Sequence, residues 1–180
     1  MTKHQSSLSP HQQEFIENQH VFFVATAPPE GFINLSPKGM DSFRVLDAQT
    51  VVWLNLTGSG NETAAHLLED DRMTIMFCAF EGSPMILRLQ GHCEAIHPRD
   101  EEWDDYIHLF PDLTGSRQLM KMTLTRVANS CGFGVPTLEF KHERREMEAW
   151  SKKKGDDGIL NYWKEKNTVS LNDKPTGIFE

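Results

Sequence analysis

Between residues 20 and 56 the chain reads as four short β-forming runs, each cut off by a turn signal. The first, 20–27, stops at Pro28-Pro29-Glu30-Gly31. The second, 32–38, alternates, with Ile33 and Leu35 on one face and Asn34, Ser36 and Lys38 on the other. The third and fourth, 43–46 and 50–56, flank Asp47-Ala48-Gln49. A parallel crossover takes a dozen or more residues and these connections are far shorter, so neighbouring strands must run antiparallel. The rhythm returns at 73–80 and 85–96 around Glu81-Gly82-Ser83-Pro84. It returns again at 120–127, where Met120, Met122, Leu124 and Arg126 share a face. About seven such strands predict a β-barrel or sandwich. No βαβαβ pattern is present, which argues against a doubly wound dinucleotide fold.

Helices are expected around this sheet. Ser9-Pro10 supplies an N-cap and a first-turn proline for a short helix. Residues 62–69 form a short amphipathic helix through Ala64, Ala65, Leu67 and Leu68, and 100–110 an acidic one with Trp103, Tyr106 and Ile107 inward. Residues 131–140 continue as strand or extended loop, 140–154 form a charged helix, and an extended tail runs from Asn167.

The chain carries 18 Lys+Arg against 26 Asp+Glu, a net charge of −8, which argues against nucleic acid as a main partner. Before residue 141 cations are scarce. Any anionic ligand there must draw on Lys38, Arg44, Arg72, Arg88, Arg99, Arg117, Lys121 and Arg126. The longest apolar runs are a few residues, against about 20 for a spanning helix, so no membrane partner is expected. The polar stretch 1–19 has no secretory core and reads as cytoplasmic. Cys78, Cys93 and Cys131 form no CxxC pair and are expected to be reduced. His92, Cys93 and His97 match no zinc spacing, so no metal site is expected.

Three segments carry chemistry. Gly58-Ser59-Gly60-Asn61 leads into a helix but lacks the P-loop lysine and the GxGxxG spacing. Two readings stand. One is an anion site built from free N–H groups with the Ser59 and Thr63 hydroxyls. The other is an ordinary helix start capped by Asn61. In Asn34-Leu35-Ser36-Pro37-Lys38-Gly39, proline marks a strand edge and glycine admits a ligand near the backbone. In Leu87-Arg88-Leu89-Gln90-Gly91, Arg88 shares a face with Ile86 and Gln90, opposite Leu87 and Leu89.

Taken in order with Val51-Val52-Trp53-Leu54-Asn55, these segments make residues 20–97 resemble the FMN-binding split-barrel family related to pyridoxamine 5'-phosphate oxidase. Residues 130–180, with Cys131-Gly132-Phe133-Gly134-Val135-Pro136 and Lys166-Asn167-Thr168-Val169-Ser170, look like the tail of one subgroup. The resemblance implies a mainly β (α+β) fold, a six-stranded antiparallel Greek-key split barrel with flanking helices. It implies a barrel domain over 1–140, with a C-terminal helix and tail over 141–180 packed on the barrel or on a partner subunit. It also implies a homodimer with FMN between subunits, acting as an oxidoreductase on a small molecule. The cofactor-binding set it implies is Ser36, Pro37, Lys38, Arg44, Trp53, Leu54, Asn55, Ser59, Asn61, Thr63 and Arg88, with the phosphate at residues 59–63 and Trp53 to Asn55 along the flavin edge, partly through backbone groups.

Two departures narrow that expectation. Many members carry Ser-Arg-Lys where this chain has Asn61-Glu62-Thr63, which removes two cations and adds a carboxylate. The vitamin B6 oxidase's Arg-x-His pair is absent from 141–180, so the substrate is expected not to be pyridoxamine phosphate. The alternatives are a non-catalytic flavin or deazaflavin binding protein, or a haem-utilisation relative with His66, His92 or His97 as axial ligand.

Overall fold

The computed structural model describes residues 5–180; the first four residues of the polar N-terminal stretch lie outside it. The chain opens with helix α1 (Pro10–Glu17). A reciprocal capping box sets its start: the Ser9 hydroxyl accepts from the Gln12 N–H, and the Gln12 side chain accepts from the Ser9 N–H. Strands β1 (Phe22–Thr26), β2 (Asn34–Lys38), β3 (Phe43–Val45) and β4 (Thr50–Leu56) follow, then helix α2 (Glu62–Leu67). Strands β5 (Arg72–Cys78) and β6 (Ile86–Ile96), helix α3 (Trp103–Ile107), strand β7 (Ser116–Ser130) and helix α4 (Glu146–Lys166) complete the order.

All seven strands lie in one antiparallel sheet of order β2-β1-β5-β6-β7-β4-β3. The sheet curls into a split barrel with seven strands where six were expected, because the short β3 pairs with β4 as a hairpin of its own. Its interior holds Phe22, Val24, Trp53, Ile75, Phe77 and Leu89, among others. A second apolar cluster, Val52, Leu54, Ile96, Phe110 and Leu119, lies on the other face under α3. Strand β4 serves both clusters, which is why 51–54 is an unbroken apolar run with no alternation. In β6 the register slips between Gln90 and Gly91. A Cβ at Gly91 would overlap the Thr123 carbonyl, so this bulge requires glycine.

Several boundaries differ from the sequence reading. Residues 131–140 take the loop alternative, whereas α3 is confined to Trp103–Ile107 and the charged helix starts at Glu146 and extends to Lys166. Helix α4 is also not straight. Gly155 has φ 65° and ψ 174°, and the Trp150 and Tyr162 rings meet at 5.1 Å. Twelve helical residues would separate them by about 18 Å along a straight axis, so the chain reverses at Gly155 into a helical hairpin. No helix among the described residues is long and apolar enough to cross a membrane.

Candidate functional site

The split in the barrel lies between β2 and β4, where side chains rather than a strand ladder make the contact. Asn34, Ser36 and Lys38 occupy the half-buried face of β2, while Leu35 and Pro37 are exposed. The Ser36 hydroxyl donates to Asn34 Oδ1 (3.1 Å), and Asn34 Nδ2 donates to the buried Thr63 Oγ1 (3.3 Å), which ties β2 to α2. Lys38 Nζ donates to Asn55 Oδ1 (3.2 Å) and sits 5.0 Å from the Trp53 ring centroid. Asn55 Nδ2 passes the chain on to Gln118 Oε1 at 3.1 Å. Burial first, and then the positive field of Arg117, lower the pKa of Lys38 to about 8.

Arg117 itself is 3% exposed. Its Nη1 donates to the Gly60 carbonyl (3.0 Å) and to Asn167 Oδ1 (2.7 Å), while its Nε has no partner. Burial lowers its pKa to about 10. Among the described residues no carboxylate forms an ion pair with Arg117 or Lys38. Asn61, 2% exposed, leaves both side-chain amide atoms unpartnered. It makes no capping bond to α2, so the helix-cap reading of Asn61 is not the one the fold uses. Buried Arg117 and the unpaired Asn61 amide therefore border the 58–61 turn, and half-buried Lys38 lies near enough to Arg117 to feel its charge.

The C-terminal tail straps this turn. Trp163 Nε1 donates to Thr57 Oγ1 (2.8 Å), and Asn167 Nδ2 donates to the Gly58 carbonyl (3.1 Å). The Glu62 carboxylate accepts the Leu171 N–H at 3.2 and 3.0 Å, so the acidic residue in the turn faces the tail. Lys174 Nζ closes the strap on Glu69 at 2.6 Å.

The other expected positions are distributed differently. Ser59 is exposed at the turn. Trp53 and Leu54 are buried in the two apolar clusters, so only their backbone can meet a ligand. Arg44 is held by Asp41 and the Leu109 carbonyl and lies over the Phe110 ring, and Arg88 donates to Ser130 Oγ. Neither contact joins them to the Lys38 cluster. His66 is buried with Nδ1 3.0 Å from Thr26 Oγ1, His92 pairs with Asp71, and His97 is buried. Burial lowers the pKa of His66 and of His97. Arg117, Gln118 and Asn167 are the residues that sequence reasoning left out of the site. The one signal for Arg117 was its place on the short list of cations before residue 141.

Comparison with known proteins bears on this geometry. The family described as pyridoxamine 5'-phosphate oxidase matches residues 8–131, the span that builds the barrel and the turn. The chain belongs to the pyridoxamine 5'-phosphate oxidase family. A curated member of that family, the protein ustO of Aspergillus flavus, is 40% identical over 138 residues, which is 74% of this chain and 55% of the relative. This chain thus spans about half the length of that relative. Among solved structures, HupZ of Group A Streptococcus superposes with a TM-score of 0.57 at 19% identity, covering 69% of this chain and 94% of that one. A pyridoxamine 5'-phosphate oxidase-like protein of Lactobacillus delbrueckii gives 0.56 at 17%, covering 71% and 99%. These likenesses show that the fold is the family's split barrel.

Proposed function

We propose that the chain is an FMN-dependent oxidoreductase of the pyridoxamine 5'-phosphate oxidase family, acting as a homodimer on a small molecule other than pyridoxamine phosphate. The observation that carries this reading is the pair of Arg117, buried on the 58–61 turn, and half-buried Lys38 within its field, neither with a carboxylate partner. An unpaired buried charge costs several kcal/mol, roughly, and a dianionic phosphate offsets that cost for both cations at once. The unpartnered Nε of Arg117 and the amide of Asn61 add donors, which a phosphate oxygen accepts. Arg117 takes over the charge that the family's Ser-Arg-Lys supplies from the turn itself, and this frees Glu62 to hold the tail. The residues present therefore fit the phosphate of FMN.

FMN when bound supplies the redox chemistry, and the protein supplies binding, orientation and electrostatics. With FMN bound, Lys38 and Arg117 would hold its phosphate, Asn55, itself fixed by Gln118, would orient Lys38, and the backbone of Trp53 and Leu54 would be the part of β4 open to the flavin. The test is a titration of the apoprotein with FMN and with riboflavin, which lacks the phosphate. FMN is expected to bind the more tightly, and bleaching by reduced nicotinamide under air marks an enzyme rather than a carrier. Equal affinity for both flavins, or a haem Soret band in place of flavin absorbance in the purified protein, overturns the reading.

A further inference from the structure

A second cavity lies away from the Lys38 cluster. It has a volume of about 610 Å³, is open on one side, and is lined by the end of α1, the start of β1, the β5–β6 turn and residues 138–140. That volume falls within the usual range for small-molecule sites, about 300–1,000 Å³. Its walls are Val21, Phe23, Phe80, Leu138 and Phe140. The His20 ring lies on the Phe140 ring at 3.7 Å with 9° between their planes, so one wall is a flat aromatic surface. Residues 138–140 are held over the cavity by two bonds, from the Leu138 N–H to the Phe80 carbonyl (2.9 Å) and from the Phe140 N–H to Glu81 Oε1 (3.1 Å).

The charged lining has one sign. No lysine or arginine contributes to it, and Glu81 and Glu139 place two carboxylates at its rim. The amide nitrogens of Asn18 and Gln19 each give one N–H to the Glu14 and Phe15 carbonyls, which leaves one N–H and the oxygen of each amide, neither of them charged. Apart from these neutral amides and the His20 ring, the polar side chains are the two carboxylates, so the charge at the cavity is negative. Such a lining favours a ligand that donates hydrogen bonds or carries a cation, and it repels a carboxylate or phosphate. The apolar and stacked aromatic walls favour a planar ring. We infer that this cavity is a binding site for a small planar aromatic amine, distinct in chemistry from the anion-binding turn. The inference stands on the cavity alone and does not depend on the flavin reading.

One ring with three charges tests it: tryptamine, indole and indole-3-acetate, titrated into the full chain by calorimetry. Tryptamine is expected to bind best, indole less well, and indole-3-acetate about tenfold or more below tryptamine, in line with two carboxylates at a partly exposed rim. In the double variant Glu81→Gln with Glu139→Gln, the preference for tryptamine over indole should fall to within about twofold. Glutamine keeps an acceptor for the Phe140 N–H, so the wall remains in place. Phe140→Ala should weaken all three ligands together. No tryptamine binding at millimolar concentration, indole-3-acetate binding as well as tryptamine, or affinities indifferent to Phe140→Ala would each overturn the assignment.

Discussion

Lys38 is where pH enters. Its ammonium is charged in both native and unfolded chains below about pH 8, so the cost of burying it is fully present there. Between about 8 and 10.5 the unfolded chain keeps a proton that the native chain releases, so this group's contribution to stability improves as pH rises through that window. Ligand binding has the opposite dependence. Affinity for FMN should fall as pH passes upward through about 8, while riboflavin affinity stays level; a fluorescence titration at several pH values separates the two. Lys38→Met should raise the urea midpoint of the apoprotein by about 1 kcal/mol of stability, yet weaken FMN by about 1.5–3 kcal/mol. A variant that lost stability and kept its FMN affinity would place the phosphate elsewhere.

At the scale of elements, the tail and the turn are joined by one amide. Asn167 bridges Arg117 Nη1 and the Gly58 carbonyl, so Asn167→Ala leaves a buried guanidinium short of an acceptor. The expected loss is about 2–3 kcal/mol in chemical denaturation, with faster proteolysis of residues 168–175. Glu62→Gln retains one acceptor for the Leu171 N–H and should cost well under about 1 kcal/mol. Gly155 holds the hairpin of α4 in a region of backbone space that is nearly glycine-only. Gly155→Ala should therefore cost about 1–3 kcal/mol and reduce the near-UV signal of the Trp150–Tyr162 pair. An unchanged melting curve for Gly155→Ala would mean that the reversal carries no strain cost.

For the whole molecule, the open side of the barrel is the telling surface. Phe32, Ile33 and Leu35 are 72%, 77% and 64% exposed at and beside the edge strand β2, whose opposite face carries Lys38. Exposed apolar groups beside an unpaired strand edge fit burial against a second copy of the chain, and a symmetric pair closes the groove from both sides. Ile33→Glu combined with Leu35→Glu should shift sedimentation from dimer to monomer at micromolar concentration and weaken flavin binding in the same samples. Wild type sedimenting as a monomer with flavin tightly bound would remove the dimer from the proposal.

Much of the architecture is legible in the residues because it is local. Ser9 with Gln12 caps α1, the alternation of 32–38 sorts Lys38 from Leu35, and Leu87 and Leu89 turn inward while Arg88 turns out, as strand geometry requires. The antiparallel pairings of β1 with β2 and of β3 with β4 likewise follow from the short connections. Other features arise only when distant segments meet. Asn61 looks like a helix cap in sequence, yet its side chain is buried without a capping bond. Glu62 appears to spoil an anion site until Leu171, more than a hundred positions on, takes its carboxylate. Arg117 opens β7 as one arginine among several, and only the packing of β7, the 58–61 turn and the tail sets it beside Gly60 and Asn167. Short-range patterns decide which faces are apolar and where the chain turns. Which charge ends up buried without a counter-ion is a sum over contacts far apart in the chain, and tertiary structure alone decides it.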